Sequence, residues 1–108
     1  MALAAELLAA SISEDELQAN VMRLCKMLGL RCYHTHDSRR SPEGFPDLAI
    51  VKGDALLFRE LKNETRKPTL AQLQWLADLS GVRRVSAGLW RPRDWLSGEI
   101  ERALRANW

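Results

Sequence analysis

Three residues in the middle of the chain have the side chains needed to bind a divalent cation and act on a phosphate ester: Asp47, Glu60 and Lys62. The pair Gly53-Asp54, which is typical of a tight β-hairpin turn, separates the two runs that carry them. With a two-residue turn, the strand register places Asp47 directly opposite Glu60, with Cβ atoms roughly 5 Å apart. The spacing therefore predicts a carboxylate pair on one face of a hairpin.

Such a pair needs a physical reason, because like charges directly opposite each other destabilise a hairpin. A hard divalent cation supplies one, since Mg²⁺ is commonly bound by one or two carboxylates together with phosphate oxygens. Strand alternation places Lys62 on the face of Glu60, where it can bind a phosphate oxygen or assist deprotonation of an attacking water. The alternative is an exposed strand on which Asp47, Glu60 and Lys62 form a solvated salt-bridge cluster. A bulge would also turn Asp47 to the other face.

A third acid is available from the first predicted helix. Ser13 is placed as its N-cap and is followed by Glu14, Asp15 and Glu16. At about 100° per residue, Glu14 lies at the border of the apolar stripe and is the acid best placed to lean over the sheet. For Asp15 and Glu16, interaction with the helix dipole is the better explanation, and for Glu14 it is an equal alternative.

Hydrophobic periodicity and turn residues predict the elements that position these side chains. The predicted order is a helix from Ser13 to Gly29, strands over 30–37, 47–52 and 55–62, a helix from Thr69 to about Ser80, a strand over 83–90 and a helix over 92–106. This order, α-β-β-β-α-β-α, indicates an α/β domain over residues 13–108 with a mixed sheet flanked by helices. Residues 1–12 are predicted to be an N-terminal helical extension.

The two later helices are each predicted to have an apolar side that packs on the sheet. For the helix after Thr69 these residues are Leu70, Leu73, Leu76, Ala77 and Ser80, and for the last helix they are Trp95, Leu96, Ile100 and Leu104. Trp75 and Trp95 are assigned to packing, because aromatic residues at helical spacing are more often core than ligand contacts.

Length, charge and cysteine content exclude several classes of protein. The 108 residues suit one domain, and a net charge of +2 is too small to identify a polyanionic partner by itself. Cys25 and Cys32 do not provide a disulfide framework or a metal-type pair, and Cys25 is predicted to be a buried thiol, which agrees with a cytoplasmic location. The apolar segment 1–10 contains Glu6 and is too short to cross a membrane, so no membrane association is expected and the segment is a candidate dimer contact.

Basic residues lie on both sides of the hairpin and as a group are expected to contact a DNA backbone, whereas for each arginine singly a solvated loop is an equal alternative. They are Arg39 and Arg40 in the loop before it, and Arg66 and Lys67 in the loop after it. A second basic cluster is predicted around the last strand, formed by Arg83, Arg84, Arg91 and Arg93. His34 and His36 share a strand face and are predicted to be polar residues near the cleft, with His34 touching DNA, in preference to a metal pair. No helix-turn-helix or zinc finger is evident, which favours recognition of backbone and shape.

Several of these segments, taken in order, resemble one family of nucleases. The segments are Ser13-Glu14 with Gln18, Tyr33-His34-Thr35, Asp37-Ser38-Arg39-Arg40-Ser41, Gly44-Phe45-Pro46-Asp47-Leu48, Glu60-Leu61-Lys62 and Gln72-x-x-Trp75-Leu76. Their order over residues 13–96 resembles that of stand-alone VRR-NUC domains, the virus-type replication–repair nucleases of the PD-(D/E)XK superfamily. The short acidic motifs alone are weak signals, and their order together with the Gln72 helix makes the resemblance specific.

The resemblance implies a restriction-endonuclease-like core and Mg²⁺- or Mn²⁺-dependent cleavage of branched DNA, such as four-way junctions or flaps, often by a homodimer. It implies that Asp47, Glu60 and the Leu61 carbonyl bind the metal and that Lys62 is the catalytic lysine. Glu14, or Glu16 in another alignment, would be the helix acid and a further ligand. Gln72 would approach the site from the second helix. Two alternatives remain open: an inactive DNA-binding or assembly module on the same fold, and an RNA-processing nuclease.

Overall fold

The computed structural model describes residues 2–36 and 40–107. Arg39, predicted to contact DNA, lies outside the described residues. The helices are α1 (Ala2–Ala10), α2 (Glu14–Met27), α3 (Leu70–Ser80), α4 (Pro92–Leu96) and α5 (Glu99–Arg105), and the strands are β1 (Cys32–His34), β2 (Leu48–Lys52), β3 (Ala55–Leu61) and β4 (Val85–Trp90).

The four strands form one sheet in the order β1-β2-β3-β4. β2 is antiparallel to both β1 and β3, and β4 is parallel to β3, to which α3 connects it. The predicted mixed sheet flanked by helices is therefore confirmed. The predicted hairpin register is confirmed as well, since Lys52 pairs with Ala55 and Leu48 pairs with Arg59.

Helix α2 covers one face of the sheet, and its ends follow the predicted local signals. Ser13 forms a capping box with Glu16, and Gly29 takes a left-handed conformation (φ +74°) just after the helix ends. The buried core joins this helix to inward-facing strand residues and α5, through Leu17, Val21, Leu24, Cys25, Leu48, Ile50, Leu57, Leu61, Trp90, Ile100 and Leu104. The predicted burial of Cys25 is confirmed.

Helix α3 covers the other face, but it does so with a different side from the predicted one. Leu70 and Leu73 are 72% and 49% exposed, and only Leu76 of the predicted apolar side is buried. Gln72 and Trp75 are partly buried instead. The helix packs on a sheet face that contains both an aromatic and a carboxylate, so its inner side is aromatic and amide in character and the leucine spacing indicated the wrong side.

The predicted continuous helix over 92–106 is also wrong, because it is broken into α4 and α5. Gly98 adopts a left-handed conformation (φ +83°), which cannot continue an α-helix. The break turns Ile100 and Leu104 into the core and leaves Leu96 40% exposed. At the other end of the chain, α1 packs against α4 and buries Ala9. Within the described residues, no helix is long and apolar enough to cross a membrane.

Candidate active site

Asp47 lies one residue before β2, where the loop from β1 enters the hairpin. Continuing the observed register by one residue places it opposite Glu60, as predicted. Its Oδ2 accepts a hydrogen bond of 2.8 Å from the Leu61 backbone N–H, and its own carbonyl accepts one of 2.8 Å from the Thr35 N–H. These bonds fix Asp47 between the neighbouring strands.

Glu60 is buried near the end of β3, with 3% of its surface exposed. Its Oε2 accepts a hydrogen bond of 3.0 Å from Gln72 Nε2 and lies 3.6 Å from Lys62 Nζ. Its Oε1 is also buried, and no donor in the described structure contacts it. A buried carboxylate oxygen without a donor is costly, so this atom marks a place where a cation or a proton is needed.

Burial raises the pKa of the Glu60 carboxyl to about 8, and the neighbouring Asp47 carboxyl acts in the same direction. The Lys62 ammonium opposes both effects without cancelling them. In the absence of a cation, Glu60 therefore holds a proton at neutral pH. The two carboxylates form an electrostatically coupled pair, as the hairpin register predicts.

Lys62 follows β3 directly, and 4% of its side chain is exposed. Its backbone N–H donates to the Trp90 carbonyl at 3.1 Å, which extends the β3–β4 pairing by one residue. Lys62 Nζ lies 3.6 Å from Glu60 Oε2, so the charge of this buried lysine is balanced by Glu60 only once the Glu60 proton has left. The solvated salt-bridge alternative is wrong for Glu60 and Lys62, since both side chains are almost completely buried.

Gln72 is brought to the site by the cap of α3, in agreement with the expectation from the resemblance. It occupies the third position of a capping box, where its Oε1 accepts a 2.8 Å hydrogen bond from the Thr69 N–H. That bond orients the amide so that its Nε2 donates to Glu60. The helix cap and the candidate site therefore share one side chain.

Glu14 is partly exposed and its Oε2 lies 2.9 Å from Arg66 Nη1. Glu16 is engaged in the capping box with Ser13, whereas Glu14 takes no part in it. In residues 2–36 and 40–107, however, no three His, Cys, Asp or Glu side chains lie close enough to share a metal ion. Glu14 does not join Asp47 and Glu60 here, and its role as a ligand remains a prediction.

The basic residues divide between the two ends of the sheet. Arg66 and Lys67 are exposed in the loop after β3, and Arg40 is exposed in the loop before β2. The predicted second cluster around β4 is wrong, because Arg84 pairs with Asp54 at the hairpin turn whereas Arg93 pairs with Glu64 beyond β3. A strand separates its two ends, so residues that flank β4 cannot form one patch.

His34 lies on a different face from the carboxylate pair. It pairs with Leu48, whose side chain is in the core beneath α2, so the structure does not bring His34 to Asp47. The ring of His34 lies 4.0 Å from that of His36. Its contact with DNA remains a prediction.

Two residues support the site in ways that were not predicted from the sequence, where Thr35 was named only within a motif and Arg91 only within a basic cluster. Thr35 holds Asp47 through its N–H and donates its hydroxyl to the Pro46 carbonyl at 2.9 Å. Arg91 donates to the Asn63 and Arg66 carbonyls, which fixes the loop that carries Arg66. The β1–β2 register would have identified Thr35, whereas Arg91 reaches its partners through the parallel β3–β4 pairing, for which the sequence carries no local signal.

The residues present fit a divalent cation. Asp47 and Glu60 are hard oxygen donors on one face of the hairpin, and the free Glu60 Oε1 is the oxygen that a cation would satisfy. A cation would also offset the burial and the Asp47 repulsion that together raise the Glu60 pKa. The Leu61 carbonyl, a ligand implied by the resemblance, belongs to the residue whose N–H already binds Asp47.

Comparison with known proteins identifies the fold. One solved structure described as "VRR_NUC domain" superposes with a TM-score of 0.65 at 23% identity, covering 82% of this chain and 94% of that one. Another, described as "VRR_NUC domain protein", gives a TM-score of 0.67 at 22% identity, covering 89% and 92%. No protein-family model and no curated protein sequence matches the chain. The chain has the fold of VRR-NUC domains.

Proposed function

We propose that this protein is a metal-dependent endonuclease that hydrolyses phosphodiester bonds in branched DNA, such as four-way junctions or flaps. The observation that carries the proposal is the buried Glu60 carboxylate, which faces Asp47, contacts Lys62 and has one oxygen without a donor. A structural salt bridge would satisfy both oxygens. A site that binds a cation only when it acts would leave one oxygen open.

Asp47 and Glu60 would hold Mg²⁺ or Mn²⁺, with the Leu61 carbonyl and Glu14 as further candidates. The cation, when bound, supplies Lewis acidity and positive charge at the phosphate. Gln72 orients Glu60 through its amide. Lys62 would bind a phosphate oxygen or assist deprotonation of the attacking water. The water oxygen then bonds to phosphorus as one P–O ester bond breaks, and the leaving oxygen takes up a proton, which gives a phosphate monoester and a hydroxyl.

The exposed Arg66 and Lys67 support a polyanionic substrate, because they lie in the loop that follows Lys62, where Arg66 also pairs with Glu14. Arg40, Arg39 and His34 remain candidate DNA contacts. Recognition through backbone charge suits a substrate defined by shape, which favours branched DNA over one base sequence.

A homodimer is part of the same proposal, since a chain of this size is too small to enclose a duplex. The exposed leucines of α1 support a contact between copies: Leu3, Leu7 and Leu8 are 66%, 65% and 54% exposed. Sedimentation at working concentration tests this directly, and a monomer would contradict it.

The test of activity compares the parent with Lys62→Ala on a four-way junction, a flap, a linear duplex and an RNA of the same sequence. We expect the variant to cleave the branched DNA at least about a hundredfold more slowly with either Mg²⁺ or Mn²⁺, because it lacks the group that acts on the proton or the phosphate. Lys26→Ala is the matched control, since Lys26 is an exposed lysine of α2 on the far face of the sheet. Equal cleavage by Lys62→Ala and parent would refute the assignment.

The same assay separates the alternatives. A parent protein that binds junctions but cleaves nothing with either metal would be a binding or assembly module. Faster cleavage of the RNA than of any DNA would identify an RNA-processing nuclease on this fold.

A further inference from the structure

A cleft of about 360 Å³ lies on the β1 side of the hairpin, across β2 from the strand that carries Glu60. Its walls come from β1, from the loop before β2 and from α3. The residues that matter for its chemistry are Tyr33, Thr35, His36, Ser41, Phe45 and Trp75. None of them is needed to bind the cation.

The cleft and the carboxylate pair lie on the same face of the sheet. Tyr33 pairs with Ala49, so Thr35 stands opposite Asp47, and the two are joined by the 2.8 Å hydrogen bond from the Thr35 N–H. Neighbouring strands are about 4.8 Å apart. The wall of the cleft therefore begins one strand spacing from Asp47 and two from Glu60.

The aromatic wall of the cleft is held rigidly. Phe45 packs edge-on against Trp75 and Phe58, with ring centroids 5.1 and 5.8 Å apart. The Trp75 indole N–H donates to the Glu43 carbonyl at 3.0 Å. Tyr33, in contrast, is 61% exposed at the mouth. A fixed aromatic wall with an exposed ring at its entrance offers a surface on which a flat ligand can stack.

Flat apolar rings combined with a few hydroxyl and imidazole groups match the surface of a nucleobase, which offers two π-faces and a polar edge. Thr35, His36 and Ser41 supply those polar groups. The volume is also within the range of small-ligand pockets, at about 300 Å³ and above. A base that remains stacked in a duplex cannot enter such a cleft.

We propose that this cleft binds one unpaired nucleobase next to the scissile phosphate, and that this contact makes the enzyme prefer DNA with unpaired nucleotides at the cut. The proposal rests on the proposed function, because the phosphate is placed at Asp47 and Glu60. Since the cleft is one strand spacing away, the base belongs to the nucleotide adjoining that phosphate. Tyr33 forms the stacking surface at the mouth.

The test uses a splayed DNA duplex that carries one abasic site, moved nucleotide by nucleotide across the branch. Binding is measured by fluorescence anisotropy with Ca²⁺ in place of Mg²⁺. We expect Tyr33→Ala to weaken binding of the intact splayed DNA by about tenfold, and Tyr33→Phe to retain it. Leu73→Ala, which removes an exposed apolar side chain of α3 outside the cleft, is the matched control and is expected to bind as the parent does. A thermal melt confirms that each variant is folded.

One abasic position should reduce parent binding by the same factor and should not reduce binding of Tyr33→Ala any further, because the two changes remove the same contact. Fully paired linear duplex should show no dependence on Tyr33. Equal binding by Tyr33→Ala and parent, or an abasic penalty that persists in the variant, would overturn the proposal. If Tyr33→Ala changes the sedimentation coefficient of the protein while the abasic site has no effect on DNA binding, the proposal would also be overturned. The cleft would then be an interface between proteins.

These results separate the two proposals. If cleavage depends on Lys62 but binding ignores Tyr33, the nuclease proposal stands and the base site is refuted. If binding depends on Tyr33 and on one nucleotide but the parent never cleaves, the base site stands on an inactive module.

Discussion

Glu60→Gln tests the central feature of the site, a buried carboxylate that is costly to ionise. Burial and Asp47 raise the pKa of Glu60 from 4.5 to about 8. At about 1.4 kcal/mol per pKa unit, full ionisation lowers the free energy of unfolding by roughly 5 kcal/mol. The pKa of Glu60 is higher in the folded state than in the unfolded state. The roughly 5 kcal/mol of stability is therefore fully present below about pH 4.5 and is lost as the pH rises towards 8.

Glutamine keeps the shape of the protonated side chain and still accepts from Gln72, but it cannot ionise. We therefore expect Glu60→Gln to melt at least roughly 10 °C above the parent at about pH 9 in a chelator, and close to the parent at about pH 5. The assay is thermal unfolding followed by circular dichroism. Glu43→Gln, the same change at an exposed loop position, is the matched control and should alter neither melting temperature.

Mg²⁺ provides the second half of this test. Saturating metal should stabilise the parent, by about 2.7 kcal/mol at a hundred times the dissociation constant, and should leave Glu60→Gln unchanged. A variant that melts with the parent at about pH 9 in chelator would refute the claim that Glu60 is ionised at a cost. A variant that is stabilised by Mg²⁺ as the parent is would refute its role as a ligand.

Two further predictions concern the proton on Glu60 and the packing of Gly44 against helix α3. Mg²⁺ affinity measured by calorimetry should fall by up to tenfold per pH unit below about pH 8, because the Glu60 proton must leave before the cation binds. An Mg²⁺ affinity that does not change over that pH range would contradict this prediction. Gly44→Ala should lower the free energy of unfolding by about 3 kcal/mol in denaturant titration, since Gly44 has φ +91° and a Cβ there would lie 2.5 Å from the Ala71 carbonyl carbon. Gly29 is also left-handed, but a Cβ there would meet open space, so Gly29→Ala should lower the free energy of unfolding by only about 1 kcal/mol. Equal losses of stability in the two variants would refute the role of the contact between Gly44 and Ala71.

The hairpin and the helix starts were predictable because local chemistry determines them. A Gly53-Asp54 turn sets a register that places Asp47 opposite Glu60, and no information from the rest of the chain is required. Ser13 and Thr69 begin their helices for similar reasons, since each accepts a hydrogen bond from a backbone N–H three residues later.

The inner side of α3 was not predictable from periodicity. Leucine spacing favoured the side with Leu70 and Leu73, but the sheet face beneath this helix contains Phe58 and the buried Glu60. The side that packs there is the one that can donate to a carboxylate and fill an aromatic gap, namely the side with Gln72 and Trp75. Hydrophobic patterning fails here because the partner surface is polar at its most buried point.

The buried charges at this point of the sheet also determine how the activity of Lys62→Ala should be interpreted. Lys62 lowers the pKa of Glu60, and Gln72 donates to the same carboxylate, yet the pKa remains raised to about 8. Burial and the Asp47 charge thus outweigh the positive groups near Glu60, and a divalent cation would supply the missing charge. Removing Lys62 leaves the pair more in need of that cation once the Glu60 proton has gone, so metal binding at about pH 9 should persist. Cleavage lost under those conditions reports on the chemical step and not on loss of the metal.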